Sequence, residues 1–489
     1  MVIPAQPNGA YEWALTNFGE AAFTDVRRVA RLVSIAEAAL RSPTASWPQR
    51  FAQAYDLKAT YNFFRDPEAT PANIQFGHRE ELYATLSQPG TYLFLEDTSE
   101  IFCASGNTPI PGLGPVGAST KKGQGFLLHT DLAVAWPGAD PALAPRRPPV
   151  LLLGIAAQQY HIRQLRPKAA GPRQGSERRT LPASELESAL WEQASSEIGR
   201  APADEAVRWI KVGDRGADIY DHLVACQAQG QRFVIRAKSD RVLVDEAGVP
   251  VGKLFAEVRG GASLGSLELS LRARPGQRAR VAQLEVTATA VRLRAPQAKG
   301  QGAGGRAPVS CWAVRVWEPA APEGVRGLEW LLLTDIAVTD FVGACEIIQM
   351  YATRWVEEEF HKALKSGLKV EQGQFRSAAE WLAAVAVLSV VGVRLVGLRE
   401  QARVAPEAAA ESSGLGAEEI EVLRAQSGKK LATVGEVVLA LGRLGGHLNR
   451  KGDGPPGWQT MWRGWQRLED MMMGYRLGQK KMRTPEQQE

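Results

Sequence analysis

The segment from Tyr351 to Lys365, YATRWVEEEFHKALK, leaves the chain few ways to fold. At about 100° per residue of an α-helix, Tyr351, Arg354, Glu358, Lys362 and Lys365 fall within an arc of roughly 80°, and Val356, Phe360, Ala363 and Leu364 collect on the opposite side. The spacing predicts a helix with one face buried and another that gathers a phenol, a guanidinium, a carboxylate and two ammonium groups. Of three consecutive glutamates only Glu358 lies in that stripe; Glu357 and Glu359 are swung about 100° to either side. On geometry alone, Arg354, Glu358 and Lys362 also read as i,i+4 ion pairs on a solvated face, each contributing about 0.3 kcal/mol. The meaning of the stripe depends on what the rest of the chain supplies.

Two aspartates stand near the close of β-rich runs. TYLFLEDTS, residues 91–99, reads as a strand ending at Asp97, and VRWIKVGD, residues 207–214, as a strand ending on Asp214 before a helix from Ile219 to Gln227. An aspartate at a strand end is also an ordinary turn or cap residue. Residues 125–135 and 149–157 are apolar runs broken by Gly or Pro, so they complete an antiparallel meander with the first strand, and residues 231–238 add a fifth. Lys121, Lys122 and His129 lie on or just before the second strand. A basic, Pro/Gly-rich loop at 163–180 with Arg178 and Arg179 precedes a helix from Pro182 to Gly199, with Ser184 and Glu187 in capping-box order. Three strands, helix, strand, helix, strand is the order of an RNase H-like core, an α/β (mixed α+β) fold that would place Asp97 and Asp214 on neighbouring central strands.

Residues 239–330 break this order with β-rich runs and read as an all-β insertion closed by Trp330–Thr334. The Gly-rich tip at 298–306 lacks the strand-then-helix setting of a nucleotide loop, so no nucleotide cofactor is expected. The ends are helical. Asp25 caps a helix over 26–40 that turns Leu32, Ile35 and Ala36 inward and Arg27, Arg28 and Arg31 outward, and a second helix covers 47–64. Near the C-terminus, Trp381–Val393 is apolar but too short to cross a bilayer, which predicts a buried helix and no membrane partner. The final helix carries Trp458, Trp462, Trp465, Leu468, Met472 and Tyr475 at close to heptad spacing, either a core stripe or a subunit contact. For 489 residues this gives three domains, 1–75, 76–375 (with the insertion) and 376–489.

A net charge of +5 permits a polyanionic partner without requiring one. Cys103, Cys226, Cys311 and Cys345 show no metal-ligand spacing and read as buried thiols of a cytoplasmic protein with no zinc site. Nothing at the N-terminus reads as a secretory signal.

Tyr351, Arg354, Glu358 and Lys365 meet the spacing of the YREK signature, and the stretch resembles bacterial cut-and-paste DDE transposases of the composite-transposon, insertion-sequence branch. Arg27-Arg28, YNFFR at 61–65, Glu96-Asp97-Thr98, Asp214-Arg215, the β insertion and WLLLT at 330–334 extend the resemblance over nearly the whole chain. It implies a helical N-terminal domain that binds the inverted transposon ends, with Arg27, Arg28 and Arg31 toward DNA, and C-terminal helices that pair two subunits into a homodimer. It implies a metal triad of Asp97, Asp214 and Glu358, and phosphate contacts from Tyr351, Arg354, Lys362, Lys365, Arg236 and Lys238. Trp330 and Trp355 match aromatics that receive or brace a base flipped out when the end is bent into a hairpin. One departure is Gly216, where the family pattern has glutamate.

Three carboxylates are hard oxygen ligands suited to Mg²⁺ or Mn²⁺. Two such ions about 3.5 to 4 Å apart support in-line displacement at phosphorus without a His or Ser nucleophile. Two other readings compete: an RNase H-like nuclease that cuts but never joins, and a catalytically silent DNA-binding regulator derived from a transposase.

Overall fold

The computed structural model describes residues 9–103, 108–117, 123–164, 186–273, 278–296, 306–451 and 453–482. Lys121, Lys122, Arg178, Arg179, Ser184 and the tip at 298–305 lie outside the described residues.

The chain opens with five helices: α1 (Ala10–Phe18), α2 (Val26–Arg41), α3 (Trp47–Arg50), α4 (Ala54–Phe64) and α5 (Pro71–Leu86). Asp25 caps α2 by accepting the Arg27 N–H, and α2 buries Leu32, Val33, Ile35 and Ala36 as its apolar period requires. A strand meander follows: β1 (Gly90–Phe102), the short β2 (Gly114–Val116), β3 (Gly123–Trp136) and β4 (Leu151–His161). After α6 (Ala189–Ile198) come β5 (Val207–Gly213), α7 (Tyr220–Ala228) and β6 (Arg232–Arg236).

The sheet order β4-β3-β1-β5-β6 has the first three strands antiparallel and β5 and β6 parallel to β1, which is the RNase H arrangement. Its central strands are covered on both faces. Leu93 and Leu95 join the core beneath the C-terminal helices, while Tyr92 and Phe94 pack with Leu82, Leu86 and Trp209 on the other side.

The insertion does not form a separate sheet. Strands β7 (Val242–Val244), β8 (Pro250–Lys253), β9 (Gly265–Leu271), β10 (Arg280–Leu293), β11 (Val309–Trp317) and β12 (Glu329–Thr334) extend the core sheet, because β12 lies antiparallel to β6 with Leu332 opposite Arg236. An unpaired β6 edge would leave a row of backbone groups open, and β12 covers it. One helix, α8 (Leu254–Arg259), interrupts the strands.

The segment at residues 351–365 spans parts of two helices. The helix is interrupted at Arg354, which ends α9 (Phe341–Thr353) and starts α10 (Trp355–Lys362), and a π-helical turn spans Ala363–Gly367. The apolar stretch lies within α11 (Ala378–Val404), a 27-residue helix long and apolar enough to cross a membrane, yet mostly buried inside the fold. Helices α12 (Ala417–Ser427), α13 (Val434–Leu444) and α14 (Trp458–Met482) complete the chain. The heptad stripe on α14 is core within this chain: Trp458, Trp462, Trp465, Leu468 and Met472 are buried. The subunit-contact reading of those residues is therefore corrected, since α12 and α13 already cover them, and among the described residues the large apolar side chains α14 leaves exposed are Met473 and Leu477.

Candidate metal centre

The first carboxylates are brought together by strand register. Glu96 pairs with Gly213 across the parallel β1–β5 ladder, whose strands lie about 4.8 Å apart, so Asp97 on β1 and Asp214 just past the end of β5 are each one residue beyond a paired position. Asp97 does not end its strand as expected. The β1–β3 ladder continues to Phe102, while β5 stops at Gly213, so Asp97 sits where only one edge of β1 is released. Asp214 starts a short 3-10 turn over Arg215–Ala217, and its Oδ1 accepts the Gly216 N–H at 2.6 Å. A Cβ on Gly216 would meet that same oxygen at 2.9 Å and the Trp191 ring at 3.0 Å, so the departure from the family pattern fits the close turn seen here.

Helix α10 brings the third carboxylate. Val356, Phe360, Ala363 and Leu364 are all fully buried and fix which face of the helix turns to the sheet. Arg354 Nη1 lies 3.3 Å from Asp97 Oδ2, and its Nη2 lies 2.5 Å from Glu358 Oε1. One guanidinium thus spans two carboxylates that are 261 positions apart in the chain. Asp97 has its pKa raised to about 6, first by burial and then by repulsion from Asp214, with Glu358 adding and Arg354 opposing. Asp97, Asp214 and Glu358 therefore share one electrostatic neighbourhood. Three carboxylates are the hard oxygen donors that Mg²⁺ or Mn²⁺ takes, and two of them already share the Arg354 cation, so Asp97, Asp214 and Glu358 are the residues that would hold such an ion.

The remaining expected residues divide by environment. Tyr351 is 5% exposed, because it belongs to the buried end of α9 and not to α10; its ring meets Trp330 edge-on at 5.3 Å. Trp355 is exposed, with Lys362 Nζ 5.6 Å from its ring centroid. Half-buried Lys365 lies 3.9 Å from Glu371. Arg236 donates to the Glu329 carbonyl at 3.2 Å, and Lys238 is exposed. On α2, Arg27 pairs with Asp25, Arg28 with Asp66 and Glu68, and Arg31 with Asp56, so a phosphate approaching them would have to compete with carboxylates.

A second ionic cluster lies on the other face of the sheet, where no sequence motif pointed. Lys211 on β5 is fully buried between Glu96, at 2.9 Å, and Asp131. His222 Nε2 contacts Glu96 at 2.8 Å, and His129 Nδ1 meets the Thr98 hydroxyl at 2.8 Å. Glu96, His129 and Asp131 could each direct one ligand atom into a space under 4.8 Å across. Lys211 already supplies a positive charge there, so the group is satisfied as an ion network without a metal. Its signal in the sequence is polar residues at 96, 129, 131 and 211 inside otherwise apolar strands.

Both ends of the chain match known families. Residues 10–69 match the family described as Transposase DNA-binding, and residues 390–484 match the Transposase Tn5 dimerisation domain. The two matches lie on either side of the sheet in the chain, one over the N-terminal helices and one from within α11 through α14.

Proposed function

We propose that the chain is a cut-and-paste DNA transposase whose chemistry is metal-dependent phosphoryl transfer by Asp97, Asp214 and Glu358. The observation that carries this reading is the single Arg354 guanidinium joining Asp97 to Glu358 beside Asp214, in a chain flanked by transposase-type segments. In this reading residues 1–75 bind the transposon ends, 76–375 hold the catalytic core and 376–489 pair the subunits. The protein works in the cytoplasm on inverted ends and target DNA.

Bound Mg²⁺ or Mn²⁺, two ions per site, would activate the attacking oxygen and stabilise the leaving one. The chain's own residues do the rest. Asp97 on β1, Asp214 just after β5 and Glu358 on packed helix α10 would hold the cations, and because these elements are fixed by the sheet and core they would position the reacting phosphate. Tyr351, Arg354, Lys362, Lys365, Arg236 and Lys238 hold phosphates of the end, and Arg27, Arg28 and Arg31 hold those further out. Trp355 is exposed and offers a ring to an unstacked base, worth about 1 to 3 kcal/mol, with Trp330 bracing from beside Tyr351. The same displacement, with water or a 3′-hydroxyl as nucleophile, accounts for end nicking, hairpin formation and opening, and strand transfer.

The test uses DNA carrying the inverted repeats that flank the coding region. Asp97→Asn, Asp214→Asn and Glu358→Gln should each abolish Mg²⁺-dependent cleavage while leaving end binding within about threefold of the parent. Cleavage at parental rates by any of them removes the triad. Precut ends then separate activities: no joined product identifies a nuclease, and no cleavage by the parent protein identifies a silent regulator.

A further inference from the structure

Arg354 occupies the place where the triad's charge has to be balanced. Its side chain is 11% exposed and contacts Asp97 through one terminal nitrogen and Glu358 through the other. Its Nε is buried with no hydrogen-bond partner, so the guanidinium is held by the two carboxylates and not by a wider hydrogen-bond shell. The backbone of Arg354 is fixed at the junction of two packed helices, α9 and α10, so any movement of the guanidinium is a rotation of its side chain. A magnesium-sized ion must approach its ligand oxygens to about 2.1 Å, and a guanidinium nitrogen 2.5 Å from Glu358 Oε1 crowds that oxygen and offsets part of the triad's negative charge.

We propose that Arg354 is an internal counter-cation that keeps the pair Asp97 and Glu358 closed to divalent ions in the DNA-free protein, so that metal loading requires the guanidinium to swing out. The inference rests on the assignment of Asp97, Asp214 and Glu358 as metal ligands. Its consequence is a free protein with low affinity for divalent ions, in which the residue next to the metal ligands sets that affinity. A phosphate is the kind of group that would accept the released guanidinium, through two parallel N–H donors.

The experiment is Mn²⁺ binding to the full chain without DNA, followed by the loss of free Mn²⁺ signal in electron paramagnetic resonance. Arg354→Gln should bind Mn²⁺ about tenfold more tightly than the parent, within the usual range of coupling between two sites. Lys369→Gln removes the same charge just beyond α10 without touching the triad, and should stay within about twofold of the parent. Adding Asp97→Asn to Arg354→Gln should abolish the gain. Equal affinities for the parent and Arg354→Gln overturn the latch and leave the metal site standing, provided Asp97→Asn weakens both. Binding that is indifferent to Asp97 in every variant overturns the metal site and the latch together. If Arg354→Gln does not fold alone, millimolar Mn²⁺ should restore its cooperative unfolding transition, and failure to do so overturns the latch.

Discussion

Glu96 and Asp97 are neighbours on β1 that serve opposite faces of one sheet. Glu96 is fully buried against Lys211 and His222, and Asp97 turns toward Arg354 and α10. Strand geometry requires this divergence, since successive side chains point to opposite sides. One strand therefore ties a structural ion network to the candidate metal centre. A shift of register by one residue would exchange the two carboxylates and destroy both.

The network should be costly to break. Burial opposes the charge on Lys211, but Asp131 and Glu96 outweigh it and hold the ammonium protonated. Lys211→Met would leave Asp131 without its ammonium partner and Glu96 with His222 alone, and removing one partner of a buried pair typically costs about 3 to 5 kcal/mol. Urea unfolding should show that loss. A change below about 1 kcal/mol would mean that the charges are not paired as described.

The raised pKa of Asp97 gives a pH dependence of known sign. In the metal-free protein the native state keeps this proton to about pH 6, whereas the unfolded chain releases it near 3.8. The stabilising contribution is fully present below the unfolded value and is lost as pH rises through about 6. Metal binding needs the ionised group, so Mn²⁺ affinity should rise about tenfold per pH unit below 6 and level off above it. A flat affinity between pH 5 and 7 would separate Asp97 from the ion.

The two tryptophans should behave differently. Trp355 is 52% exposed, so Trp355→Ala should change stability by less than about 0.5 kcal/mol while weakening binding to distorted DNA. Trp330 packs against Tyr351, and Trp330→Ala should cost about 1 to 3 kcal/mol in the free protein. Equal thermal shifts for both would contradict these environments.

How much of this could be read from the residues follows from the range of the forces involved. The buried side of α10 was legible, because Val356, Phe360 and Leu364 recur at the helical period and all are buried. The strand, helix, strand order from β5 to β6 was legible for the same reason, since period and turn residues are local. The interruption at Arg354 was not, because Arg354 keeps helical backbone angles and Tyr351, with its ring beside both Trp330 and Arg354, still fits the same helical arc as Glu358. Neither was the β6–β12 pairing, which joins Arg236 to Leu332 across the whole insertion. The Lys211 network left only single polar residues in apolar strands as a signal, and because its members come from four separate elements nothing local shows that they meet.

A last prediction concerns the contact between the helical ends. The Thr44 N–H, at 3.2 Å, and the Thr44 hydroxyl both donate to the Glu469 carboxylate, linking the turn after α2 to α14. Burial raises the Glu469 pKa to about 7, although these hydrogen bonds and Arg50 oppose the shift. The native state thus holds a proton that the unfolded chain gives up near 4.5, and the stability it contributes is present below that value and lost as pH rises through about 7. Glu469→Gln keeps a neutral group of the same shape that can still accept from the Thr44 N–H. The variant should match the parent at pH 4 and exceed it by about 1 to 3 kcal/mol at pH 8, the upper figure being what a shift of this size allows for a mostly buried carboxyl. Urea unfolding at the two pH values measures the difference. A variant less stable than the parent at pH 8 would show that the carboxylate is needed in its charged form, and that Arg50, not burial, governs the contact.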